Sequence, residues 1–375
     1  MSVLSRYLAR MLLARTAVLL AGLSALMMIL AFLADGDQVI AASEGVVLAM
    51  LRYTLLRLPE ILAQLIPITA VLASLLTFAE LVRHSELTAM HAAGVSKPRL
   101  AAAVLPVALL IALAQLLIED QAAPRAIGAL RAWGIGDYGG SGEEEPGASW
   151  LRHGDDIVRL ARFDALAGEL SGVTLFRRDP QGNLIAEVEA AGAAVEDGAW
   201  VLHDVTRSWV GTGVVEHQER LVWTNDLDPA LLAAAIAHPR ETPLRQLLQV
   251  IRTPGLGTQP GYRYRLWLQE RLAAPATTVA MMLVIVALVR PSAGRAAQGW
   301  LIAMGVAVGF VCWTFDGLVL AIGDLGLVPP ALAAWIPLLV FATAAASMML
   351  HEERRRVTRA RRGVRAALLP KTSSG

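Results

Sequence analysis

The 25 residues LPEILAQLIPITAVLASLLTFAELV (58–82) decide the fold class of this chain. A helix needs about 20 predominantly apolar residues to cross a hydrocarbon core of about 30 Å. This run is followed at once by HSELTAMHAAGVSKPR (84–99), and then by a second apolar run at 100–119. The stretch therefore predicts two membrane-spanning helices joined by a short, ordered connection.

The bulk composition extends this interpretation to the whole chain. Of the 375 residues, 55% are hydrophobic and 17% are charged, against about 25% charged in soluble proteins, and the mean hydropathy is +0.53. The net charge of +1 gives no support for nucleic-acid binding. Six apolar runs are long enough to span a membrane, at 13–34, 58–82, 100–119, 272–290, 299–322 and 330–350. We predict six transmembrane helices that flank an extramembrane insert.

The placement of arginine predicts the orientation. Basic residues occur at the N-terminus, in the connection at 84–99, near 290–295 and throughout the C-terminal tail. The opposite connections, DGDQVIAASEG (35–45) and GDLGLVPP (323–330), contain no lysine or arginine. Because short cytoplasmic loops carry the basic excess, both termini are expected in the cytoplasm and the insert outside it.

The insert at about 121–265 has the pattern of an all-β domain. Alternating or β-branched runs occur at 155–163, 172–179, 183–190, 200–210 and 219–226, separated by turn signals about ten residues apart. This spacing favours a small sandwich or barrel. An acidic loop, GGSGEEEPGAS (139–149), precedes the strands, and helical periodicity follows at 228–253, with Thr242 as a predicted helix cap.

Several kinds of chemistry are excluded by what the sequence lacks. Its two lysines, Lys97 and Lys371, do not follow a phosphate-binding glycine-rich motif, so no ATP hydrolysis of the P-loop type is expected. The single cysteine, Cys312, excludes an intrachain disulfide and a cysteine-based zinc site. We expect no catalytic residues, cofactor or metal. Asp316, inside the fifth apolar run, is expected to face protein or an aqueous cavity.

The connection at about 84–94 is predicted to be a helix with a face of small residues. Ala89, Ala92 and Ala93 allow close approach, Glu86 supplies an acid, and Gly94 ends the helix. A transporter without its own motor needs such an element to dock on a separate ATPase, with the acid meeting an arginine of the partner. The alternative interpretation is a solvated surface turn.

Four segments resemble the lipopolysaccharide-export permeases of the LptF/LptG family. SELTAMHAAGVS (85–96) is similar to the coupling-helix signature, and LPEILAQLIPITAVLASLLTFAEL (58–81) is similar to the second span. EDQAAPRA (119–126) is similar to the exit from the third span, and ERLAAPATTVAMMLVIVALV (270–289) to the fourth span. The first two spans resemble the LptG branch more than the LptF branch.

The resemblance implies a defined assembly in the bacterial inner membrane. Such a permease pairs with its LptF-like paralogue, is driven by an LptB-like ATPase dimer and joins an LptC-like protein. The complex extracts lipopolysaccharide and passes it to LptC-like and LptA-like periplasmic β-jellyroll proteins. The insert would be the periplasmic, jellyroll-like domain of this subunit.

By the same resemblance, Glu86 corresponds to the coupling-helix glutamate that faces ATPase arginines. His84, Met90, His91 and Gly94 complete the expected ATPase-coupling set. Two features depart from the family: His91 stands where arginine is common, and ADGDQVI (34–40) is acidic where LptG often has basic residues that meet lipid phosphates.

Four arginines are candidate lipid contacts: Arg52, Arg57, Arg125 and Arg131. Their guanidinium groups suit anionic sugar phosphates. The ordinary interpretation of Arg52 and Arg57 is that they are interfacial residues that extend toward the headgroups.

The expected domain plan has four parts. Spans one to three and the coupling helix occupy 1–120, and the insert occupies 121–265. Spans four to six occupy 266–352, and a basic cytoplasmic tail occupies 353–375.

Two rival functions remain open from the sequence. One is a scaffold that transmits conformational change to an envelope enzyme and moves no lipid, and the other is an ion-coupled lipid carrier. A wide apolar cavity would favour a transporter over the scaffold, and the lack of paired intramembrane carboxylates weighs against the ion-coupled carrier.

Overall fold

The computed structural model describes residues 3–41, 45–135, 149–153, 156–164, 169–179, 181–196, 199–211, 213–223, 231–232, 235, 242–253, 256–289 and 295–368. The predicted acidic loop, apart from Ser149, lies outside these ranges, as does most of the first part, 228–241, of the helical stretch predicted at 228–253. The chain forms two compact units. One comprises Met1–Leu26, Leu62–Leu116 and Glu270–Gly375, and the other Met27–Ile61 and Leu117–Gln269.

Within the described ranges, six helices are long and apolar enough to cross a membrane, which agrees with the predicted number. They are α1 (Val3–Ala41), α2 (Val46–Arg83), α4 (Lys97–Leu117), α7 (Gly261–Leu288), α8 (Arg295–Asp324) and α9 (Pro330–Leu368). Three shorter helices lie between them: α3 (Glu86–Ala92), α5 (Ala123–Trp133) and α6 (Leu244–Arg252). A single π-turn, Ile118–Ala122, joins α4 to α5.

In the first unit, α8 packs closely on α2 through two glycines. A Cβ atom added to Gly305 would overlap the side chain of Leu75, and one added to Gly309 would lie 3.3 Å from Cγ1 of Val71. Residues four apart share one helix face, so the two glycines form a flat strip. Small residues at this spacing let membrane helices approach closely, where van der Waals contact drives association.

The second unit contains the insert, which is a six-stranded antiparallel sheet. Its strands are β1 (Ser149–His153), β2 (Asp156–Asp164), β3 (Glu169–Arg178), β4 (Leu184–Glu196), β5 (Ala199–Trp209) and β6 (Val215–Trp223). Each strand pairs with the next in the order β1-β2-β3-β4-β5-β6, so the described strands form one sheet. The predicted all-β insert is confirmed. β1 was missed because its five residues follow directly on the predicted loop.

One face of the sheet carries the core of the insert. Leu160 pairs with Val173, Val173 with Ala190, and Ala190 with Val205, and this buried row crosses four strands. Because side chains alternate along a strand, the pairing register places all of them on the same face. Helix α6 and the start of α7 supply further members of the same core: Leu247, Val250 and Tyr264.

Helix α6 begins in a different way from the sequence prediction. Pro243 occupies the cap position instead of Thr242, and the helix starts at Leu244. The backbone N–H of Leu244 donates a 2.6 Å hydrogen bond to Oδ1 of Asp120, which belongs to the π-turn after the third span. An aspartate distant in sequence therefore satisfies one of the free N–H groups of this helix end. The local pattern could not reveal a partner 124 residues away.

Candidate functional site

The connection between the second and third spans is an ordered helix, α3, of seven residues. It is shorter than the predicted 84–94, and His84 and Gly94 flank it. Ser85 has a left-handed backbone with φ of 59°, which turns the chain sharply out of α2. Gly94, at φ of 87°, turns it again at the other end, and the N–H of Val95 bonds to the carbonyl of Met90. Glycine suits that last turn because it has no Cβ.

One face of α3 is anchored and another is free. Leu87 is 1% exposed and holds the helix to its own unit. Ala89, Ala92 and Ala93 are exposed and form a face without long side chains. His84 and Gly94 are also exposed, and Met90 and His91 are half-buried. The predicted coupling residues thus lie on and around one short helix.

Glu86 has a partner within the chain. The hydroxyl of Tyr7, near the start of α1, donates a 2.7 Å hydrogen bond to Oε2 of Glu86. Among the described residues, the other carboxylate oxygen has no hydrogen-bond or ion-pair partner. Glu86 is half-buried, so its carboxylate is held in place yet keeps acceptor capacity for a second donor.

The contacts of His91 fix its tautomer. Nδ1 lies 2.7 Å from the carbonyl oxygen of Leu87. A carbonyl oxygen only accepts, so Nδ1 carries the proton and donates. In the neutral ring, Nε2 is then an acceptor, and it is buried without a hydrogen-bond partner among the described residues. His91 therefore stabilises the last turn of α3, whereas an arginine at this position would carry a permanent charge.

Polar contacts join several helices of the first unit. Arg15 of α1 forms an ion pair with Glu80 of α2. The ammonium group of Lys97, at the start of α4, lies 2.6 Å from the carbonyl oxygen of Ala287 in α7 and 2.5 Å from the carboxylate of Glu352 in α9. The Tyr7–Glu86 bond and the Arg15–Glu80 pair link α1, α2 and α3, and the contacts of Lys97 link α4, α7 and α9. Helix α3 is therefore tied to the first span by a direct polar contact.

The four candidate lipid-contacting arginines have different surroundings. The guanidinium of Arg52 lies 4.4 Å from the ring centroid of Trp133. Arg57 forms a 2.8 Å ion pair with Glu60 one turn later, and Nη1 of Arg125 donates a 2.6 Å bond to the carbonyl oxygen of Gln121. The side chain of Arg131 lies outside the described part of the chain. Arg52 and Arg125 have no carboxylate partner among the described residues, so each retains an uncompensated positive charge.

The acidic stretch 34–40 forms the end of α1, and it has a structural role that sequence reasoning missed. Asp35 accepts a 2.5 Å hydrogen bond from the hydroxyl of Tyr53, which is 1% exposed. The ring of Tyr53 also packs against Phe32 at 5.3 Å between centroids. A buried tyrosine hydroxyl needs a partner, and Asp35 supplies it across the α1–α2 pair.

A cavity of about 380 Å³ lies within the first unit, between α2, α4, α7 and α8. Its wall is mainly apolar and includes Pro67, Val71, Met281, Phe310 and Trp313. Asp316 also lines it, in agreement with the expectation that this intramembrane acid faces a cavity. The size lies within the range of about 300–1,000 Å³ that is typical of small-molecule sites.

Six apolar helices with a β-sheet inserted after the third define a multi-pass membrane protein with an extramembrane domain. Residues 6–351 match the family described as lipopolysaccharide export system permease LptF/LptG. The chain belongs to this family, as its sequence predicts.

Two relatives of known name are both LptG proteins. The lipopolysaccharide export system permease protein LptG of Escherichia coli K12 is 25% identical over 294 residues, 76% of this chain and 81% of the relative. LptG of Haemophilus influenzae Rd is 24% identical over 296 residues, 77% of this chain and 82% of the relative. Within the family the chain is therefore LptG-like.

Proposed function

We propose that this chain is the LptG-like permease subunit of an exporter that extracts lipopolysaccharide from the inner membrane and is powered by a separate ATPase. The observation that supports this most directly is α3, an ordered helix with an exposed alanine face and a positioned carboxylate. It lies between two spans of a chain that belongs to a permease family. The chain itself is not an enzyme under this proposal.

The ATPase partner, LptB-like and dimeric, receives α3 in a cleft. The small side chains of Ala89, Ala92 and Ala93 permit close contact, and the unpaired oxygen of Glu86 accepts a bond from a partner arginine. The ends and sides of α3 are formed by His84, Met90, His91 and Gly94. When the ATPase dimer closes, α3 moves, and the polar contacts of Tyr7 and Lys97 carry the motion into the spans. A lipid-holding cavity between this subunit and its LptF-like paralogue then narrows.

The sheet of the insert continues the lipid path on the periplasmic side. Under the proposed domain plan, 1–120 carries the first three spans and the cytoplasmic coupling helix, 266–352 carries the last three spans, and 121–265 lies in the periplasm. Both termini, with the tail at 353–375, lie in the cytoplasm. The insert pairs with LptC-like and LptA-like β proteins by strand addition, which gives lipid chains a continuous apolar surface. Arg52, Arg57, Arg125 and Arg131 are proposed contacts for the anionic sugar phosphates of lipopolysaccharide, and Arg52 and Arg125 are the stronger candidates because they lack a carboxylate partner.

Reconstitution tests this function against the scaffold alternative. The chain is co-purified with its paralogue and the ATPase, inserted in liposomes that contain lipopolysaccharide, and supplied with a soluble periplasmic acceptor. We expect ATP-dependent transfer of lipopolysaccharide to the acceptor. An inactive ATPase is the control. If the ATPase binds and turns over but no lipid reaches the acceptor under any composition, the scaffold function replaces this proposal.

The orientation is tested separately by cysteine labelling in a Cys312→Ala background. Gln181, in an exposed turn of the insert, and Ala93, beside α3, are each changed to cysteine. A membrane-impermeant maleimide applied to the periplasmic side should label Gln181→Cys and spare Ala93→Cys. Equal labelling of the two positions contradicts the proposed topology.

A further inference from the structure

Asp316 places a carboxyl group in the cavity between α2, α4, α7 and α8, and it has no partner among the residues that the structure describes. It lies well within the fifth span, eight residues before the end of α8 at Asp324. Among the described residues, no hydrogen-bond donor or cation contacts its carboxylate. Acidic residues inside membrane helices are costly, and they usually face a partner, a pathway or a ligand.

The rest of the described lining contains no other charged side chain. The polar members are Gln64, Gln115, Thr277 and Thr278. Thr278 donates a 2.8 Å hydrogen bond to Oε1 of Gln115. These two side chains therefore satisfy part of each other's hydrogen-bonding capacity. A ligand with one polar group in an otherwise apolar body would therefore meet Asp316 as the dominant electrostatic feature of the wall.

The part of the cavity wall that α8 contributes is exposed in this chain. Three of its lining residues are strongly exposed, with Val306 at 48%, Phe310 at 63% and Trp313 at 56%. When α8 spans a membrane, this side meets hydrocarbon or another membrane-embedded molecule, so a ligand can enter laterally. The aromatic rings of Phe310 and Trp313 at the opening also suit a cation, since the negative face of an aromatic ring attracts positive charge.

We propose that this cavity binds a membrane-soluble amphiphile that has an apolar chain and a protonated amine. The chain packs against the apolar wall, and the ammonium group pairs with the carboxylate of Asp316. A phosphate-bearing headgroup is disfavoured because the carboxylate repels it, and a purely apolar chain would leave the acid unpaired. The proposal goes beyond the proposed export of lipopolysaccharide, whose phosphates carry the opposite charge, and it does not depend on that function.

Photolabelling of the full-length chain in lipid nanodiscs tests the site. The probes are dodecylamine and dodecanol, each with the same diazirine in the chain, used at pH 7, where the amine is protonated. Labelled peptides are identified by mass spectrometry. We expect dodecylamine to label α2 and α8 peptides that line the cavity, saturably and in competition with unlabelled dodecylamine. The Asp316→Asn variant should lower this labelling about tenfold, as expected for loss of a charge-assisted hydrogen bond.

Two further variants test whether the labelling requires Asp316 in particular and an open cavity. Asp324→Asn removes an acid from the same helix at a position outside the cavity lining, and labelling should stay at the wild-type level. Val306→Trp fills the cavity while Asp316 remains, and it should abolish saturable labelling by the amine. The proposal is overturned if amine and alcohol label the cavity equally, if Asp316→Asn labels like the wild type, or if saturable labelling maps elsewhere.

Discussion

The hydroxyl of Tyr7 donates a 2.7 Å hydrogen bond to Glu86, which ties the start of the first span to the helix between the second and third. The bond orients the carboxylate before any partner arrives. A group that is already held in its bound orientation loses less conformational freedom on association. Tyr7 is therefore a positioning residue for the proposed ATPase contact, and no pattern in the sequence around it indicates this role.

Substitutions at Glu86 should separate docking from membrane insertion. Glu86→Ala is expected to weaken the complex with the ATPase, because a partner arginine would lose its acceptor and stay desolvated. Glu86→Asp should be milder, and Glu86→Lys should be worse than Glu86→Ala through like-charge repulsion. The measurements are the amount of co-purified ATPase and the lipopolysaccharide released per ATP hydrolysed.

The control for the Glu86→Lys charge change is Glu189→Lys on an exposed position of β4, which should behave like the wild type. A wild-type result for Glu86→Lys would make Glu86 an ordinary surface residue. The docking site would then be sought in the basic tail.

Tyr7→Phe keeps the Glu86 carboxylate and removes only its orienting bond. We expect the affinity for the ATPase to fall about fivefold, since a net hydrogen bond of about 1 kcal/mol is lost. The titration is done with the purified permease pair and the ATPase. An unchanged affinity, with Glu86→Ala still defective, would show that the partner alone orients the carboxylate.

Lys97 should be a stability determinant of the helix bundle. Its side chain is 4% exposed and meets both Glu352 and the carbonyl oxygen of Ala287 in the last turn of α7, where the helix dipole favours a cation. Lys97→Met should cost about 3 kcal/mol, because removing one partner leaves the other charge poorly compensated. The readout is the apparent Tm in detergent.

Arg99→Met is the matched control for Lys97→Met, since Arg99 is exposed two residues later, and its Tm should not change. Adding Glu352→Gln to Lys97→Met should recover part of the loss, because the carboxylate that faced the ammonium group is then neutral as well. A Lys97→Met protein as stable as the wild type would exclude this role.

Gly305 should tolerate no side chain while Leu75 is present. A Cβ atom at Gly305 overlaps Leu75, whereas a Cβ atom at Gly317 on the same helix meets nothing within 4 Å. Gly305→Val should therefore lower the Tm and separate α8 from α2, and Gly317→Ala should not. The combination Gly305→Ala with Leu75→Ala should be more stable than Gly305→Ala alone. The absence of such rescue would mean that the clash is relieved elsewhere.

The two edges of the sheet should differ in their ability to accept another strand. At β1, Arg152 exchanges two backbone hydrogen bonds with Gly257, at 3.2 and 3.3 Å, so that edge is partly covered. No described strand pairs with the outer side of β6. Unpaired edges recruit strands from other chains. A photo-crosslinking residue at Gln218 in β6 should trap a periplasmic partner in cells, and one at Arg152 should trap far less. The reverse pattern would assign docking to β1.

Some parts of the site were predictable because their causes are local. The Gly94 turn, the small face at Ala89 and Ala92 and the apolar length of each span follow from nearby residues and their spacing. The cap of α6 was predicted wrongly because its cause is not local. Asp120, from the end of the third span, supplies the bond that Thr242 was expected to make. The contact of Lys97 with a carbonyl oxygen 190 residues away could not be predicted from the sequence for the same reason.

Sequence by itself determined the six spans, the β-rich insert and the family, because hydrophobic length, strand alternation and motif similarity are properties of contiguous residues. The tertiary structure alone decided which polar groups meet. It paired Tyr7 with Glu86, Arg57 with Glu60 and Asp35 with Tyr53, and it placed Asp316 in a mainly apolar cavity where no described residue partners it. The physical reason is that the energy of a polar group depends on its contacts and its solvation, and both are set when helices distant along the chain pack together.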